Sequence, residues 1–377
     1  MIEKIIEISS VGHFVNFKFQ GSQKWNGQLK KLNIIYAPNG SGKTTLSTIL
    51  KSLSQNDIEL IKFKKTFGTT TSPSVRIKQY NNSQIINLEE LKWSSNNLKI
   101  EVFDINYIED YLFAGSFVRK QNKTNLFKLF FGNKGAEFRN KMRPLINKKD
   151  QLLKKLSNDK RNSELKERLS HYQMELDKLM SEFNSYVNPI YEKHIEVVNK
   201  YLSKFTSYIR LCEFSYLKDT SDFERFRIFP VFEVYEEQVI FSTPNLNSKI
   251  GNARYSMSEG DKSTIALCFF LARLDILDVG DKIIVFDDPL SSFDYSRRNA
   301  TVHQLAKIAS SAVQFILLTH DLGFAADFSD KCAFIEQVTL KIENNGETSF
   351  LVSHDINAEF LTSTQKDIEL IKQHLGL

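Results

Sequence analysis

Met257-Ser258-Glu259-Gly260-Asp261-Lys262-Ser263-Thr264 lies far downstream of Ala37-Pro38-Asn39-Gly40-Ser41-Gly42-Lys43-Thr44, and the two stretches together decide the fold. The upstream stretch follows Leu32-Asn33-Ile34-Ile35-Tyr36, a short apolar run with the pattern of a buried parallel strand, and predicts a helix opening near Lys43. Gly40 and Gly42 allow successive backbone N–H groups to turn inward around a phosphate, and the helix start adds the positive end of its dipole. Asn39, Gly40, Ser41, Gly42, Lys43, Thr44 and Thr45 are therefore candidate nucleotide contacts. Lys43 can reach β- and γ-phosphates, and the Thr44 hydroxyl is a candidate ligand for Mg²⁺. A chance glycine-rich turn would lack this strand–loop–helix setting.

Lys282-Ile283-Ile284-Val285-Phe286 and Gln314-Phe315-Ile316-Leu317-Leu318 are two more apolar runs, followed by Asp287 and by Thr319-His320-Asp321. Ligands gather at the carboxyl ends of strands in open parallel sheets, so these ends predict one shared site. Asp287 is expected to hold Mg²⁺ through water, and Asp288 to orient or deprotonate an attacking water. Two adjacent acids can equally form a solvated turn, but Pro289 and Ser291-Ser292-Phe293-Asp294 continue a recognisable pattern. A lone histidine is usually structural. At this strand end His320 is instead read as a γ-phosphate contact.

Across 377 residues, 41% hydrophobic content suffices for one large domain or two. No signal peptide is read at the start, and the longest apolar stretch, Thr264 to Leu277, contains Arg273 and Asp275. It falls short of the roughly 20 apolar residues that span a bilayer. Cys212, Cys268 and Cys332 are scattered, which suggests a reducing compartment. A cytoplasmic protein without membrane contact is expected. The net charge of +5 is segregated: residues 116–166 hold fifteen Lys and Arg against four acids. Such a block is either a solvated helix face or an attractor of phosphate backbones, with Lys148, Lys149, Lys154, Lys155, Lys160 and Arg161 the candidate contacts.

Apolar steps of three and four residues over Ala136–Leu156 and Glu164–Phe205, interrupted by the polar stretch 157–163, predict an antiparallel helical hairpin. A paired length of roughly 20 residues gives an arm of about 30 Å. Pro189 is read as the start of a separate helix. Residues 226–242 are strand-like, Asn344-Asn345-Gly346 signals a hairpin between Phe334–Ile342 and Thr348–Val352, and a last helix is expected over Ser363–Leu375. The domains expected are 1–133, a first half of an α/β head; 134–210, the helical insert; and 211–377, the second half of the head with its terminal hairpin and helix.

Residues 34–47, 257–272, 285–294 and 317–321 together resemble the ABC-type ATPases of the SMC/RecF branch. More narrowly, they are similar to the RloC/PrrC/PtuA-like ATPases of bacterial defence against phage. Residues 101–108 resemble the segment that holds the Q-loop in that group, and 197–205 the returning end of its coiled-coil insert. The resemblance implies an α/β ABC-type P-loop head with an inserted short helical hairpin, ATP and Mg²⁺ as cofactors, and a head-to-tail homodimer that stands alone or within a higher assembly. Ser258 and Gly260 of one copy would cover ATP held by the other, with Asp294 on the crossing loop. Asp104 or Asn106 would serve where others carry Gln, and Asp104 is then a further candidate metal ligand. Ala37 stands in place of the usual first glycine, and Asp288 in place of a glutamate, which implies slow turnover.

The leading functional expectation is an ATP-gated switch in an antiphage system, acting with a separate nuclease effector, plausibly of the HNH type. The alternatives are a RecF/SMC-like DNA-repair clamp and a PrrC-like anticodon nuclease. Cleavage by the chain itself is not expected. Past His320 the sequence offers His354-Asp355, scattered acids and His374, which do not make a converging set.

Overall fold

The structure is a computed structural model that describes residues 1–20, 25–80, 84–95, 97–104, 107, 125–159, 161–217, 227–240, 251–252, 256–290 and 293–375. The chain separates into two compact units, Met1–Ile105 with Leu274–Leu377, and Asn106–Arg273.

In the first unit the chain opens with β1 (Ile2–Val11), β2 (Phe14–Lys18), β3 (Leu32–Tyr36), α1 (Lys43–Gln55) and the short α2 (Glu59–Lys62). It continues through β4 (Ser74–Gln79), β5 (Ile85–Glu89), β6 (Lys92–Trp93) and β7 (Ile100–Phe103). The second unit contains α3 (Asn125–Asn158), α4 (Ser163–Leu202), β8 (Ile209–Leu217), β9 (Arg227–Val234), β10 (Glu237–Ile240), β11 (Gly251–Asn252) and most of α5 (Glu259–Leu277). The chain then returns to the first unit with β12 (Ile283–Asp287), α6 (Tyr295–Ser311), β13 (Gln314–Thr319) and α7 (Leu322–Lys331). The last elements are β14 (Gln337–Asn344), β15 (Ser349–Ser353) and α8 (Ile356–Leu375).

The first unit holds two sheets. One is antiparallel, in the order β2-β1-β4-β5-β6. The other runs β15-β14-β3-β13-β12-β7, with every pair parallel except β14–β15. Every residue of β12 and β13 is buried, as expected of strands covered on both faces. Phe286, Phe315 and Phe328 form a fully buried stack, with centroids 5.5 and 5.8 Å apart. Burying one such ring contributes about 1.5–3 kcal/mol.

The parallel register decides where the site forms. Tyr36 pairs with Thr319, Leu318 with Asp287, and Phe286 with Phe103. The residues that follow these strand ends, Ala37, His320, Asp288 and Asp104, therefore emerge along one edge of the sheet. Asn344 and Ser349 close the β14–β15 hairpin, where Gly346 adopts φ 92. The last helix begins at Ile356, ahead of the Ser363 expected. Asp355 accepts the Ala358 N–H at 3.0 Å and caps the earlier turn.

In the second unit α3 and α4 form the expected antiparallel hairpin, but α3 is longer than the periodicity indicated, starting at Asn125 ahead of Ala136, while α4 ends at Leu202, short of Phe205. At 1.5 Å per residue, 34 and 40 residues extend about 50 and 60 Å. Pro189 reads as the start of a separate helix, yet α4 runs through it, and Pro144 also lies inside α3. A proline inside a helix costs roughly 3 kcal/mol. Burial of Phe183, Val187, Tyr191 and Val198 on one face of α4 offsets it, so packing overrides local preference. The Asn162 side chain caps α4 by accepting the Leu165 N–H at 3.1 Å. At the far end of α4, Asn199 exchanges two 2.8 Å hydrogen bonds with the Leu211 backbone, tying the helix to β8. A four-stranded sheet, β11-β10-β9-β8, completes this unit. The α5 residues Ile265–Ala272 are all buried, with Phe269 against the rings of Phe214 and Phe232.

Candidate nucleotide site

The loop between β3 and α1 has the left-handed backbone that its glycines permit. Gly40 and Gly42 have φ 81 and 115, and Gly42 is the N-cap of α1. A Cβ on Gly40 would meet nothing within 4 Å, whereas one on Gly42 would stand 3.0 Å from the Phe14 ring. Ala37 is buried without positive φ, and its N–H donates to the Thr319 carbonyl at 3.0 Å. Alanine in place of the first glycine is thus accommodated without strain.

Lys43 is 4% exposed. Its ammonium curls over the loop, donating to the carbonyls of Ala37 (2.9 Å) and Pro38 (3.2 Å), and stands 3.6 Å from Asp288 Oδ2. Asp288 itself has φ 48, in the left-handed region that side chains rarely occupy. Its N–H donates to the Leu318 carbonyl at 2.8 Å, which fixes this turn of backbone. Asp288 Oδ1 accepts the His320 N–H and lies 2.8 Å from His320 Nδ1. The structure therefore brings Lys43, Asp288 and His320 together.

Asp287 ends β12 and is 3% exposed. Its Oδ2 accepts the Ser47 hydroxyl at 2.7 Å, and its buried Oδ1 has no hydrogen bond. Burial pushes its carboxyl up to about 6; the Ser47 and Thr44 hydroxyls pull against that rise, while Asp288 and Asp104 add to it. Asp104, just past β7, gives one oxygen to the Lys51 ammonium at 2.8 Å, and its other oxygen is also buried without a hydrogen bond.

Two buried carboxylate oxygens without hydrogen bonds, one each on Asp287 and Asp104, fit a divalent cation. Thr44, Asp287 and Asp104 would hold it. Among the described residues no cluster of three or more His, Cys, Asp or Glu forms a cage of its own. Mg²⁺ suits such a site, because it takes few protein oxygens together with waters and phosphate oxygens. Asn106, the other candidate for the Q-loop role, lies outside the described residues, as do Ser291 and Ser292.

The remaining predicted residues make other contacts within their own units. The Asp294 side chain accepts the Arg297 N–H at 2.9 Å and caps α6. Thr45 is buried, and Gly12 at the β1–β2 turn packs so closely on it that a Cβ there would stand 2.4 Å from its hydroxyl. Ser41 donates its hydroxyl to the Pro38 carbonyl at 2.8 Å and accepts at its own carbonyl from Ser349. Ser258 and Gly260 belong to the second unit. There the Ser258 hydroxyl donates to Asp261 Oδ2 at 2.7 Å, and the Gly260 carbonyl accepts the Thr264 hydroxyl at 2.7 Å.

Sequence reasoning missed Ser47, Lys51 and Arg298. Ser47 and Lys51 follow Lys43 at four-residue steps, so one face of α1 carries three polar residues, all buried. That spacing was readable, but burial of the face was not. Arg298 makes a bidentate pair with Asp321 at 2.7 and 2.9 Å, and Asp321 caps α7 immediately after His320. Among the described residues no helix is long and apolar enough to cross a membrane.

Comparison with known proteins agrees with this geometry. The glutamate transport ATP-binding protein GluA of Corynebacterium efficiens is 27% identical over 94 residues, which is 25% of this chain and 36% of that protein. The chain thus matches only about a third of the length of this curated relative. The structure of the recombination mediator protein RecF with ATP aligns over 94% of this chain and 98% of its own, with TM-score 0.51 and 14% identity. An Smc head domain with an extended coiled coil from Pyrococcus furiosus aligns over 98% and 99%, with TM-score 0.45 and 15% identity. The AAA_13 family, described as an AAA domain, matches residues 10–224 and 245–375. The chain belongs to the AAA_13 family, and its α/β fold is that of the RecF head.

Proposed function

We propose that this chain binds and hydrolyses ATP as a dimeric switch. The observation that carries the reading is the convergence of Lys43, Asp288 and His320 on the edge where four parallel strands end. In it, the backbone N–H groups of residues 39–44 and the Lys43 ammonium hold the β- and γ-phosphates. Thr44, Asp287 and Asp104 would hold Mg²⁺, which neutralises charge on the phosphate oxygens. Asp288 takes the proton of the attacking water, and His320 faces the γ-phosphate. Ser258 and Gly260 of a second copy close over the same nucleotide, with Asp294 on the crossing loop.

The switch would serve as the sensor ATPase of a bacterial antiphage system with a separate nuclease effector of the HNH type. The motif resemblance to the PtuA-like group supports this. It also agrees with the placing of His354 and Asp355, the tail residues considered for cleavage. Asp355 caps α8, and the His354 ring faces Glu359. A second reading, a RecF-like DNA clamp, is favoured by the basic hairpin, where Lys148, Lys149, Lys154, Lys155 and Arg161 lie on or beside α3, while Lys160 lies outside the described residues.

ATP turnover and the mass of the protein in solution with ATP test the switch. A Lys43→Ala and Ser258→Arg mixture should restore one composite site; complete loss in the mixture would remove the paired sites. Toxicity only in the presence of an adjacent nuclease supports the defence reading. Sustained ATP-dependent binding to DNA ends without such a partner supports the clamp.

A further inference from the structure

The Ser258 hydroxyl is engaged twice by one neighbour. Its proton goes to Asp261 Oδ2 at 2.7 Å, and its oxygen accepts the Asp261 N–H at 3.1 Å. The other carboxylate oxygen, Oδ1, accepts the Tyr208 hydroxyl at 2.6 Å. Asp261 is 8% exposed, so its charge is held in place with little water around it. Tyr208 is fixed in turn. Its ring stacks on Tyr235 with centroids 4.5 Å apart and planes 2° apart, and its carbonyl accepts the Tyr235 N–H at 3.2 Å. Tyr235 and Glu236 have φ 50 and 69, so a tight left-handed turn between β9 and β10 presents the stacking ring.

A serine hydroxyl has one proton to give. An ionised carboxylate and a γ-phosphate oxygen are both acceptors only, so they compete for it. They also repel each other across the serine, more strongly in a partly buried setting than in water. We propose that Asp261, tethered by Tyr208, is a positioning residue that sets the ATP concentration at which two heads close. Asp261 withholds Ser258 from the γ-phosphate. Tyr208 draws on one oxygen of the carboxylate and keeps the side chain from swinging toward the incoming anion. This rests on the reading that Ser258 meets the nucleotide of a second copy.

The experiment follows the dimer fraction by light scattering while a non-hydrolysable ATP analogue is titrated into the full chain. Wild type, Asp261→Asn, Tyr208→Phe and the double variant are compared, with Asp261→Gln in reserve should the asparagine variant fold poorly. Analogue binding to dilute monomer is measured separately. Asp261→Asn should dimerise at about tenfold lower analogue concentration, with monomer binding unchanged. Tyr208→Phe should need severalfold more analogue, and its effect should vanish in the Asp261→Asn background, because it acts through that charge. A merely structural tyrosine would keep its full effect there. An unchanged or higher midpoint for Asp261→Asn and Asp261→Gln, in a wild type that does dimerise, overturns the gate and leaves the switch standing. Absence of any ATP-driven dimer in wild type overturns both.

Discussion

Asp288 and His320 are joined twice: one carboxylate oxygen accepts the His320 backbone N–H at 2.8 Å and stands 2.8 Å from its ring Nδ1. An ionised carboxylate can only accept, so the ring proton sits on Nδ1 and Nε2 is the nitrogen left to face a nucleotide. The strained φ of Asp288 is held by this pair and by the Leu318 carbonyl. The residues proposed as catalytic base and γ-phosphate contact are therefore one unit, and a change in either one moves the other.

Asp288→Asn should bind ATP but hydrolyse it about 10²–10⁴-fold more slowly, since an amide cannot take the proton of water. The closed dimer should accumulate, visible as a doubled mass with ATP. Turnover equal to wild type would place the base elsewhere.

Lys43→Ala should abolish nucleotide binding. Its ammonium is the only side-chain cation that the structure, among the described residues, sets against both the loop carbonyls and Asp288. Calorimetric titration with ATP checks this, and retained affinity would remove the loop from the site.

Asp287 gives a pH dependence with a definite sign. Its carboxyl is raised from an ordinary 3.8 to about 6 in the fold. The folded state therefore favours the protonated form, and stability is lost as pH rises from 4 through about 6. Cation binding needs the ionised form, so affinity for Mg-ATP should fall as pH drops below about 6. Asp287→Asn should raise nucleotide-free stability at pH 8 by about 1–3 kcal/mol while removing Mg²⁺ dependence from ATP binding. Urea unfolding and Mg²⁺ titrations measure the two halves separately.

Lys51→Met should destabilise the head by about 3–5 kcal/mol, because it leaves the Asp104 carboxylate buried and unpaired. Adding Asp104→Asn should recover much of that loss in the same unfolding measurement. No recovery would mean that Lys51 acts through packing alone.

Reversing Lys148, Lys149, Lys154, Lys155 and Arg161 should weaken nucleic-acid binding and flatten its salt dependence, by about one unit of slope for each phosphate that is no longer neutralised. An unchanged slope in filter binding across salt concentrations returns this helix face to a solvated role.

The strand–loop–helix around Gly40 and Gly42 was legible because it is local: the backbone of a few consecutive residues makes the turn, whatever surrounds it. The parallel strands were legible for a related reason. Burial on both faces leaves a continuous apolar run, as in Ile283–Phe286 and Phe315–Leu318. The helical hairpin was legible in kind but not in where α3 starts or in the continuity of α4. Pro189 carries a local penalty that Phe183, Val187 and Tyr191 overcome through packing against residues distant in sequence.

What tertiary structure alone decided is which charges are buried and whom they meet. Nothing in Lys51 or Asp104 as sequence says that the two pair at 2.8 Å, or that Asp287 loses enough water for its carboxyl to rise to about 6. Nor does the sequence place Tyr208 on Asp261. A motif specifies groups that act through their neighbours in the chain. Desolvation and ion pairing depend on atoms that only folding brings near, so those properties are set by the packing of the sheet and α1 and cannot be read from any single stretch.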